Sequence, residues 1–272
     1  PNVETALTCQ RQVRELGVYG PVSIASLRTP QLPYADHLIN LIVVEDSLGI
    51  GRGEILRVLA PNGALMSRQG GAWEVERMPW PATIDEWTHF LHGPDNNAVA
   101  MDTTIGPPEH IQWAAGPLWS RDHDVTPSIF APVSARGRLF YVLEEGPVCV
   151  IDPRLPEQYV LIARDGFNGV PLWRRSLGTW YSMQVIWGHI PAHSQRRLVA
   201  DADRVYVTMG VQAPVTALDA ATGKTVFEYE GTEKTSEIVV DRGILALVIR
   251  EESAGDGLLA GRTRARFRKG YE

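Results

Sequence analysis

The segment Arg121-Asp122-His123-Asp124 has the residue types of a catalytic or ligand-binding site. It places a cation, an imidazole and two carboxylates in four consecutive residues. The flanking carboxylates can hold His123 in one tautomer or raise its pKa, and an Asp-His-Asp set can also ligate a divalent cation. We expect an exposed loop between Trp119 and a strand beginning near Val133. It is the first candidate for a catalytic site, and turn bonding without chemistry is the alternative.

A second group has the spacing of metal ligands. Glu86, His89 and His92 recur every three residues, and histidines three apart on a helix or turn can face one ion. The alternative is capping and hydrogen bonding in a structural segment. Four residues nearby could supply oxygen ligands to Ca²⁺, although Asn and Asp are more often turn formers: Asp95, Asn96, Asn97 and Asp102.

A third group is aromatic and contains histidine. Such a cluster could stack a planar ligand or a sugar, or it could pack over a neighbouring sheet. Its members are Trp180, Tyr181, Trp187, His189 and His193.

Two stretches further along the chain share one pattern. Residues 161–173 and 216–227 each read as a strand, an Asp, a Gly four residues later, a second strand, and an aromatic four residues after the Gly. The Asp can fix a tight turn and the Gly can supply positive φ. The aromatic could then pack between neighbouring sheets. The matched residues are Asp165, Gly169 and Trp173, and Asp219, Gly223 and Phe227.

The repeat has the length of a propeller blade. Strand candidates at residues 137–142, 203–208 and 243–248 accompany the turns. The copies recur about every 40 to 54 residues, close to the roughly 40–50 residues of a four-stranded blade. Two to three blades do not close a propeller. We therefore expect the chain to be a fragment of a longer polypeptide, or part of a complex that supplies the remaining blades.

The segment Ala217–Phe227 resembles the repeat of the PQQ-like (quinoprotein dehydrogenase-like) β-propellers. Trp87–Ala100 is similar to the segment that precedes their first blade, and Ile111–Trp113 to their first strand. This resemblance covers about residues 80–250. It implies a bacterial protein in the periplasm or at the cell surface, with PQQ and calcium as possible cofactors. The sequence shows no complete set of the carboxylate base, calcium ligands and stacking groups that a quinone site needs.

The first part of the chain has an α/β pattern. Apolar spacing predicts helices over residues 4–16 and 53–60, the second ended by Pro61-Asn62-Gly63. Strands are predicted over residues 22–27, 38–44 and 64–66. The segments Leu32–Asp36, Leu38–Val44 and Glu54–Gly63 resemble the C-terminal half of a class I SAM-dependent methyltransferase.

The methyltransferase resemblance is incomplete. The Gly-rich loop that would hold the cofactor has no counterpart. Arg28 stands where the family often has Asp, and a cation there opposes binding of the adenine amino group. We therefore expect a segment without SAM-dependent activity.

All eight Trp residues lie between residues 73 and 187, which suggests a change of domain near residue 72. We expect a methyltransferase-like segment over 1–72, a linker and segment leading into the propeller over 73–110, and two to three PQQ-like blades over 111–272. The fold class is thus mixed, with α/β followed by all-β.

Composition limits the partners. The net charge of −6 disfavours nucleic-acid binding, and no apolar stretch is long enough for a membrane helix.

Cys9 and Cys149 fall in different predicted domains, so we expect two separate thiols, with one bridge as the alternative. A basic run near the end reads as a solvated loop or chain end, or as a site for an acidic partner: Arg262, Arg264, Arg266, Arg268 and Lys269.

Taken together, these features favour a propeller that binds a protein or small-molecule ligand, without bound quinone. A quinoprotein-type oxidoreductase completed by further blades is the first alternative. A SAM-dependent methyltransferase with a propeller substrate domain is the second.

Overall fold

The computed structural model describes residues 3–45, 49–69, 71–104, 106–107, 111–116, 128–146, 158–180 and 192–250. This part of the chain is mostly β-sheet, in four separate sheets. It divides into two compact units, Pro1–Pro81 and Ala82–Glu272. No helix among the described residues is long and apolar enough to cross a membrane.

The elements follow one another as α1 (Val3–Glu15), β1 (Ile39–Val44), α2 (Arg52–Val58), β2 (Leu59–Gln69), β3 (Ala72–Arg77), β4 (Ile129–Ala135), β5 (Arg138–Glu144), β6 (Tyr159–Asp165), β7 (Pro171–Leu177), α3 (Ala192–Gln195), β8 (Leu198–Asp201), β9 (Arg204–Thr208), β10 (Val215–Asp219), β11 (Thr225–Tyr229), β12 (Thr235–Asp241) and β13 (Ile244–Ile249).

The first unit contains α1, α2 and a three-stranded sheet in the order β1-β2-β3. Strands β1 and β2 are parallel and β3 is antiparallel to β2. Ile55, Leu59 and Leu65 form its buried apolar cluster. Strand β3, which follows residue 72 in most of its length, pairs with β2 and belongs to this unit.

Strand β2 runs through Pro61-Asn62-Gly63, which the sequence predicts as the end of a helix. The helix α2 instead ends at Val58, and the β1–β2 register shifts between Ile39 and Leu41. A Cβ on Gly63 would lie 2.7 Å from the Ala60 carbonyl oxygen and 3.1 Å from that of Asn40. Gly63 therefore permits the close approach of the two strands at this irregularity.

The strand predicted over residues 22–27 is wrong. Apart from an isolated bridge between Tyr19 and Val22, these residues form no strand. The Gln10 side-chain amide donates to the Ile24 carbonyl at 2.8 Å. The Ile24 carbonyl thus bonds to a side chain of α1 and not to a neighbouring strand. The local sequence of residues 22–27 does not predict this long-range hydrogen bond.

The resemblance segment Leu32–Asp36 is held by one arginine. Arg57 donates to Asp36 at 2.6 Å, to Glu54 at 2.7 Å and to the carbonyls of Tyr34 and Leu32. Glu54 in turn accepts the Leu32 N–H at 2.7 Å. These bonds, the one from Arg57 foremost, lower the pKa of the Glu54 carboxyl to about 2.

The second unit contains two four-stranded antiparallel sheets with the same topology. We call the sheet with the strand order β4-β5-β6-β7 sheet one, and the sheet with the strand order β8-β9-β10-β11 sheet two. The two-stranded sheet of β12 and β13 is called sheet three. The hairpins predicted from the repeated Asp and Gly residues are confirmed, since β6 pairs with β7 and β10 with β11.

The first strands of the three sheets lie side by side. Strand β8 contacts both β4 and β12. A buried core joins sheets one and two through residues such as Phe140, Leu161 and Leu218. A second core joins sheets two and three through Val199, Val215, Ile238 and Val240. Sheet one therefore packs against sheet two, and sheet two packs against sheet three.

Candidate functional site

In both repeated turns the Asp Oδ1 accepts the N–H group of the residue three positions later. Asp165 Oδ1 accepts the N–H groups of Phe167 and Asn168, at 2.8 and 3.1 Å. Asp219 Oδ1 accepts the N–H and the hydroxyl of Thr222, at 2.9 and 2.7 Å. The hydroxyl contributes most to the lowered pKa of the Asp219 carboxyl. These aspartates are turn formers rather than free acids.

A Trp ring covers each turn from the preceding part of the chain. The Trp113 indole N–H donates to the Gly166 carbonyl at 3.0 Å, one residue after Asp165. The Trp173 indole N–H donates to the Ala220 carbonyl at 2.9 Å, one residue after Asp219. Trp113 is not in a strand, although Ile111–Trp113 was predicted as one.

The glycines of the turns make this docking possible. Gly169 and Gly223 have φ of 72° and 69°. A Cβ would lie 2.4 Å from the Trp113 ring in the first case and 2.6 Å from the Trp173 ring in the second. The prediction of a ring packed between neighbouring sheets is therefore confirmed for Trp173, whereas Phe227, at the equivalent position of the second repeat, is 56% exposed.

The segment Asp85–His92, here called the crossing segment, bonds to the first strands of all three sheets. Ser134 in β4 donates its N–H to the Trp87 carbonyl at 2.6 Å. Ala200 in β8 donates its N–H to the Thr88 carbonyl at 3.0 Å.

The third of these bonds goes to a side chain. Val240 in β12 donates its N–H to His89 Nε2 at 3.1 Å. The three donors occupy equivalent positions, because each lies two residues before a turn residue with φ of 47–50°, namely Arg136, Ala202 and Arg242. Three successive residues of the crossing segment thus satisfy the same amide in three successive sheets.

His89 is held as a neutral imidazole. Its Nε2 accepts the Val240 N–H, so the ring proton lies on Nδ1, which is 2.7 Å from Thr88 Oγ1. Burial of the ring, only 5% exposed, lowers the pKa of His89. The carboxylates of Asp201, Asp241, Asp95 and Glu237 oppose this effect. Protonation would remove the acceptor for Val240.

Asp85 organises the start of the crossing segment. Its Oδ2 accepts the Met101 N–H at 2.6 Å and lies 2.7 Å from His92 Nε2, and its Oδ1 accepts the Glu86 N–H at 2.7 Å. These bonds, with that from Met101 the largest cause, lower the pKa of the Asp85 carboxyl. The resulting half-buried pair of Asp85 and His92 has the Trp87 ring at its edge.

The predicted metal ligands do not converge. Glu86 accepts the backbone N–H of Arg136, His89 bonds to Val240 and His92 bonds to Asp85. Among the residues that the structure describes, no group of three or more His, Cys, Asp or Glu side chains could hold a metal ion. The geometry corresponds to the alternative, hydrogen bonding in a structural segment.

The residues considered for calcium are also divided among different partners. Asp95 Oδ1 accepts the Asn97 N–H at 3.1 Å in a local turn. Asp102 Oδ1 accepts the Asp85 N–H at 2.6 Å, and Asn96 Oδ1 accepts from Arg196 at 3.2 Å. Each oxygen therefore holds a turn or ties the loop to a neighbouring element.

Trp180 is not an exposed stacking surface. It is fully buried, and its indole N–H donates to the Thr208 carbonyl at 2.8 Å. The guanidinium of Arg197 lies over its ring at 4.4 Å and donates to its carbonyl. Burial lowers the pKa of Arg197 to about 10. Of the two alternatives for Trp180, ligand stacking or packing over a neighbouring sheet, the structure corresponds to packing, because the ring lies in the core between sheets one and two.

Several predicted residues fall outside the described part of the chain. They are Arg121, Asp122, His123 and Asp124, the aromatic-segment residues Tyr181, Trp187 and His189, Cys149, and the basic residues 262–269. His193 lies in α3, but its side chain is outside the description. Cys9 is a free thiol.

Sequence reasoning missed the crossing segment as a unit and Arg197 altogether. The bond between His89 and Val240 joins residues 151 positions apart, so no local pattern could predict it. The available signal was the set of strand candidates at residues 137–142, 203–208 and 243–248, because Ser134, Ala200 and Val240 each lie three residues before one of them.

No protein-family model matches the chain, and a search of curated proteins gives no match.

Proposed function

We propose that residues 82–250 belong to a PQQ-like β-propeller that serves as a binding or interaction scaffold without bound quinone. In this proposal sheets one, two and three are successive blades. The crossing segment bonds to the first strand of each blade, near the C-terminal end of that strand. The protein is bacterial and acts in the periplasm or at the cell surface. The first unit is a methyltransferase-like segment that does not use SAM.

The crossing segment is the observation that carries this proposal. Trp87, Thr88 and His89 each take the equivalent N–H from one of three neighbouring sheets. A segment can do so only where first strands stand side by side with the same orientation. Radial repetition around an axis gives that arrangement.

The chemistry of the described side chains supports a scaffold. Asp85 and Asp219 hold backbone amides, and His89 is fixed as a neutral acceptor. Trp113 and Trp173 pack on turns of the fold and use their indole N–H groups there. Groups of the kinds that quinone chemistry uses are thus engaged in structural bonds at these positions.

The experiment is dye reduction by the purified protein with added PQQ and CaCl₂, across a panel of primary alcohols and aldose sugars. We expect the same rate as in protein-free PQQ and CaCl₂. Saturable, calcium-dependent reduction that requires the protein would overturn the scaffold assignment in favour of an oxidoreductase. Calorimetry with SAM tests the first unit. We expect no heat of binding, and a one-to-one binding isotherm would show a functional methyltransferase site.

A further inference from the structure

We propose that the buried guanidinium of Arg197 is the centre of an anion site, at the start of β8, that takes a short-chain monocarboxylate. The ring of Trp180 lies against the guanidinium and the hydroxyl of Thr208 lies at its edge. This inference rests on the proposed function, because it gives the binding scaffold a class of ligand.

Arg197 is a buried cation without a paired carboxylate. Only 4% of the residue is exposed. Burial lowers the pKa of Arg197 to about 10, so the guanidinium is still charged at neutral pH. In the described part of the chain no Asp or Glu forms an ion pair with it, whereas the neighbouring Arg196 pairs with Glu237. Because removing an ion from water is costly, buried charges in proteins are normally paired. The charge of Arg197 is therefore suited to hold a bound anion.

The hydrogen bonds of the guanidinium leave Nε for a ligand. Nη2 donates to the Trp180 carbonyl, and Nη1 lies 3.5 Å from Thr208 Oγ1. Nε is buried and has no hydrogen-bond partner among the residues that the structure describes. A guanidinium presents its N–H groups in a planar fork that matches the oxygens of a carboxylate. The Nε–H group is thus the donor that a carboxylate oxygen would take.

Two backbone segments fix the surroundings of the guanidinium. Gly178 donates its N–H to the Met209 carbonyl at 2.8 Å. Val211 donates its N–H to the Thr179 carbonyl at the same distance. These bonds join the chain after β7 to the chain after β9, directly beside Trp180. The ring and the guanidinium are therefore held in place without a ligand, which lowers the cost of ordering them on binding.

Burial and apolar neighbours limit the class of ligand. The guanidinium covers one face of the Trp180 ring at 4.4 Å, so that face cannot stack a planar ligand. Leu177 and Leu198, which flank the site in the chain, are buried in the same core as Trp180. One cationic donor among apolar side chains suits a carboxylate with a short apolar tail. We therefore expect formate and acetate to bind and benzoate to be excluded.

The test follows the arginine Nε–H resonances of the ¹⁵N-labelled 272-residue chain during titration with sodium acetate. Arg57 is the internal reference, because its Nε donates to a Glu54 carboxylate oxygen at 2.8 Å. In a zwitterionic buffer without added salt, the Arg197 Nε–H proton should resonate upfield of that of Arg57. Acetate should move it downfield in a saturable manner. Sodium chloride at the same ionic strength should leave it in place.

Two variants show whether the guanidinium itself holds the anion, with the Trp180 indole N–H resonance as the common measure of binding. Arg197→Lys keeps the charge but lacks the planar fork, and we expect it to bind acetate about tenfold more weakly or worse. Arg175→Lys is the matched control, because Arg175 donates to the Gly223 carbonyl outside the site. It should bind acetate as the wild-type chain does. If the amide spectrum shows that Arg197→Lys does not fold, the wild-type titration decides.

Three results would overturn the anion site. If the Arg197 Nε–H proton resonates with that of Arg57 before any anion is added, the chain itself supplies the carboxylate. If acetate does not move the resonance, or if chloride moves it equally, the site does not take carboxylates. If a folded Arg197→Lys variant binds acetate as tightly as the wild-type chain, the anion lies elsewhere.

Failure of this inference is distinguishable from failure of the proposed function. The dye-reduction assay contains PQQ and CaCl₂ and does not involve acetate. If dye reduction is independent of the protein and acetate does not bind, the scaffold assignment stands and the anion site alone is refuted. Dye reduction that requires the protein would refute the scaffold assignment, and the acetate titration would still decide the anion site.

Discussion

Replacing Gly223 by Ala tests the docking of Trp173 between sheets one and two. Gly223 has φ of 69°, and a Cβ there would lie 2.6 Å from the Cδ2 and Cε3 atoms of Trp173. These are carbons of a ring whose N–H is bonded to the Ala220 carbonyl. The ring therefore cannot withdraw without losing that bond, and the turn must move instead.

The expected loss of unfolding free energy in Gly223→Ala has two parts. A non-glycine residue in the left-handed region costs roughly 1–2 kcal/mol. Forcing an added methyl into a packed contact costs about 1–3 kcal/mol more. We expect Gly223→Ala to lower the free energy of unfolding by about 2–5 kcal/mol, a large share of the roughly 5–15 kcal/mol of an ordinary domain.

Gly231 provides the matched control. Its φ is 76°, but nothing lies within 4 Å of the Cβ that alanine would add. Gly231→Ala should therefore show only the conformational part, roughly 1–2 kcal/mol. The assay is urea unfolding of both variants, followed by tryptophan fluorescence. Equal destabilisation by the two substitutions, within about 0.5 kcal/mol, would refute the docking.

Three further predictions concern the other structural bonds. The folded-state pKa of His89 lies below its usual 6.5, so the unfolded state binds more protons and stability should fall as pH drops below about 6.5. His89→Gln keeps an acceptor for Val240 and should reduce this dependence in urea unfolding between pH 5 and 7.5, whereas an unchanged slope would contradict the assignment. Arg197→Lys loses the planar stacking on Trp180 and should cost about 1–3 kcal/mol by the same assay; a neutral result would argue against that contact. Asp219→Ala removes the acceptor for both Thr222 groups and should cost about 1–2 kcal/mol, with Thr222→Val as a milder control that removes only the hydroxyl bond.

The sequence predicted the parts of the fold that are local. The hairpin turns follow from Asp165 and Gly169 and their repeats, because an Asx turn and a positive φ involve only neighbouring residues. The helix predicted over residues 4–16 appears as Val3–Glu15 for the same reason. The strand predicted over residues 22–27 failed because a strand depends on a partner elsewhere in the chain.

The candidate site was predicted less well, since its bonds are long-range. The three-residue spacing of Glu86, His89 and His92 suggested one metal ion, but partners from separate parts of the fold direct these side chains apart. For Trp180 the residue type allows either a stacked ligand or packing over a neighbouring sheet, and only the structure shows that the guanidinium of Arg197 covers the ring. Residue type identified groups that make specific polar contacts, but it did not identify the partners.

Hydrogen exchange of three backbone amides tests the central claim most directly. If the crossing segment joins three equivalent first strands, the N–H groups of Ser134, Ala200 and Val240 should all be strongly protected at neutral pH. In a His89→Ala variant, Val240 should lose protection while Ser134 and Ala200 retain most of theirs. Exchange of all three amides at unprotected rates in the wild-type chain would contradict the arrangement of the sheets as successive repeats.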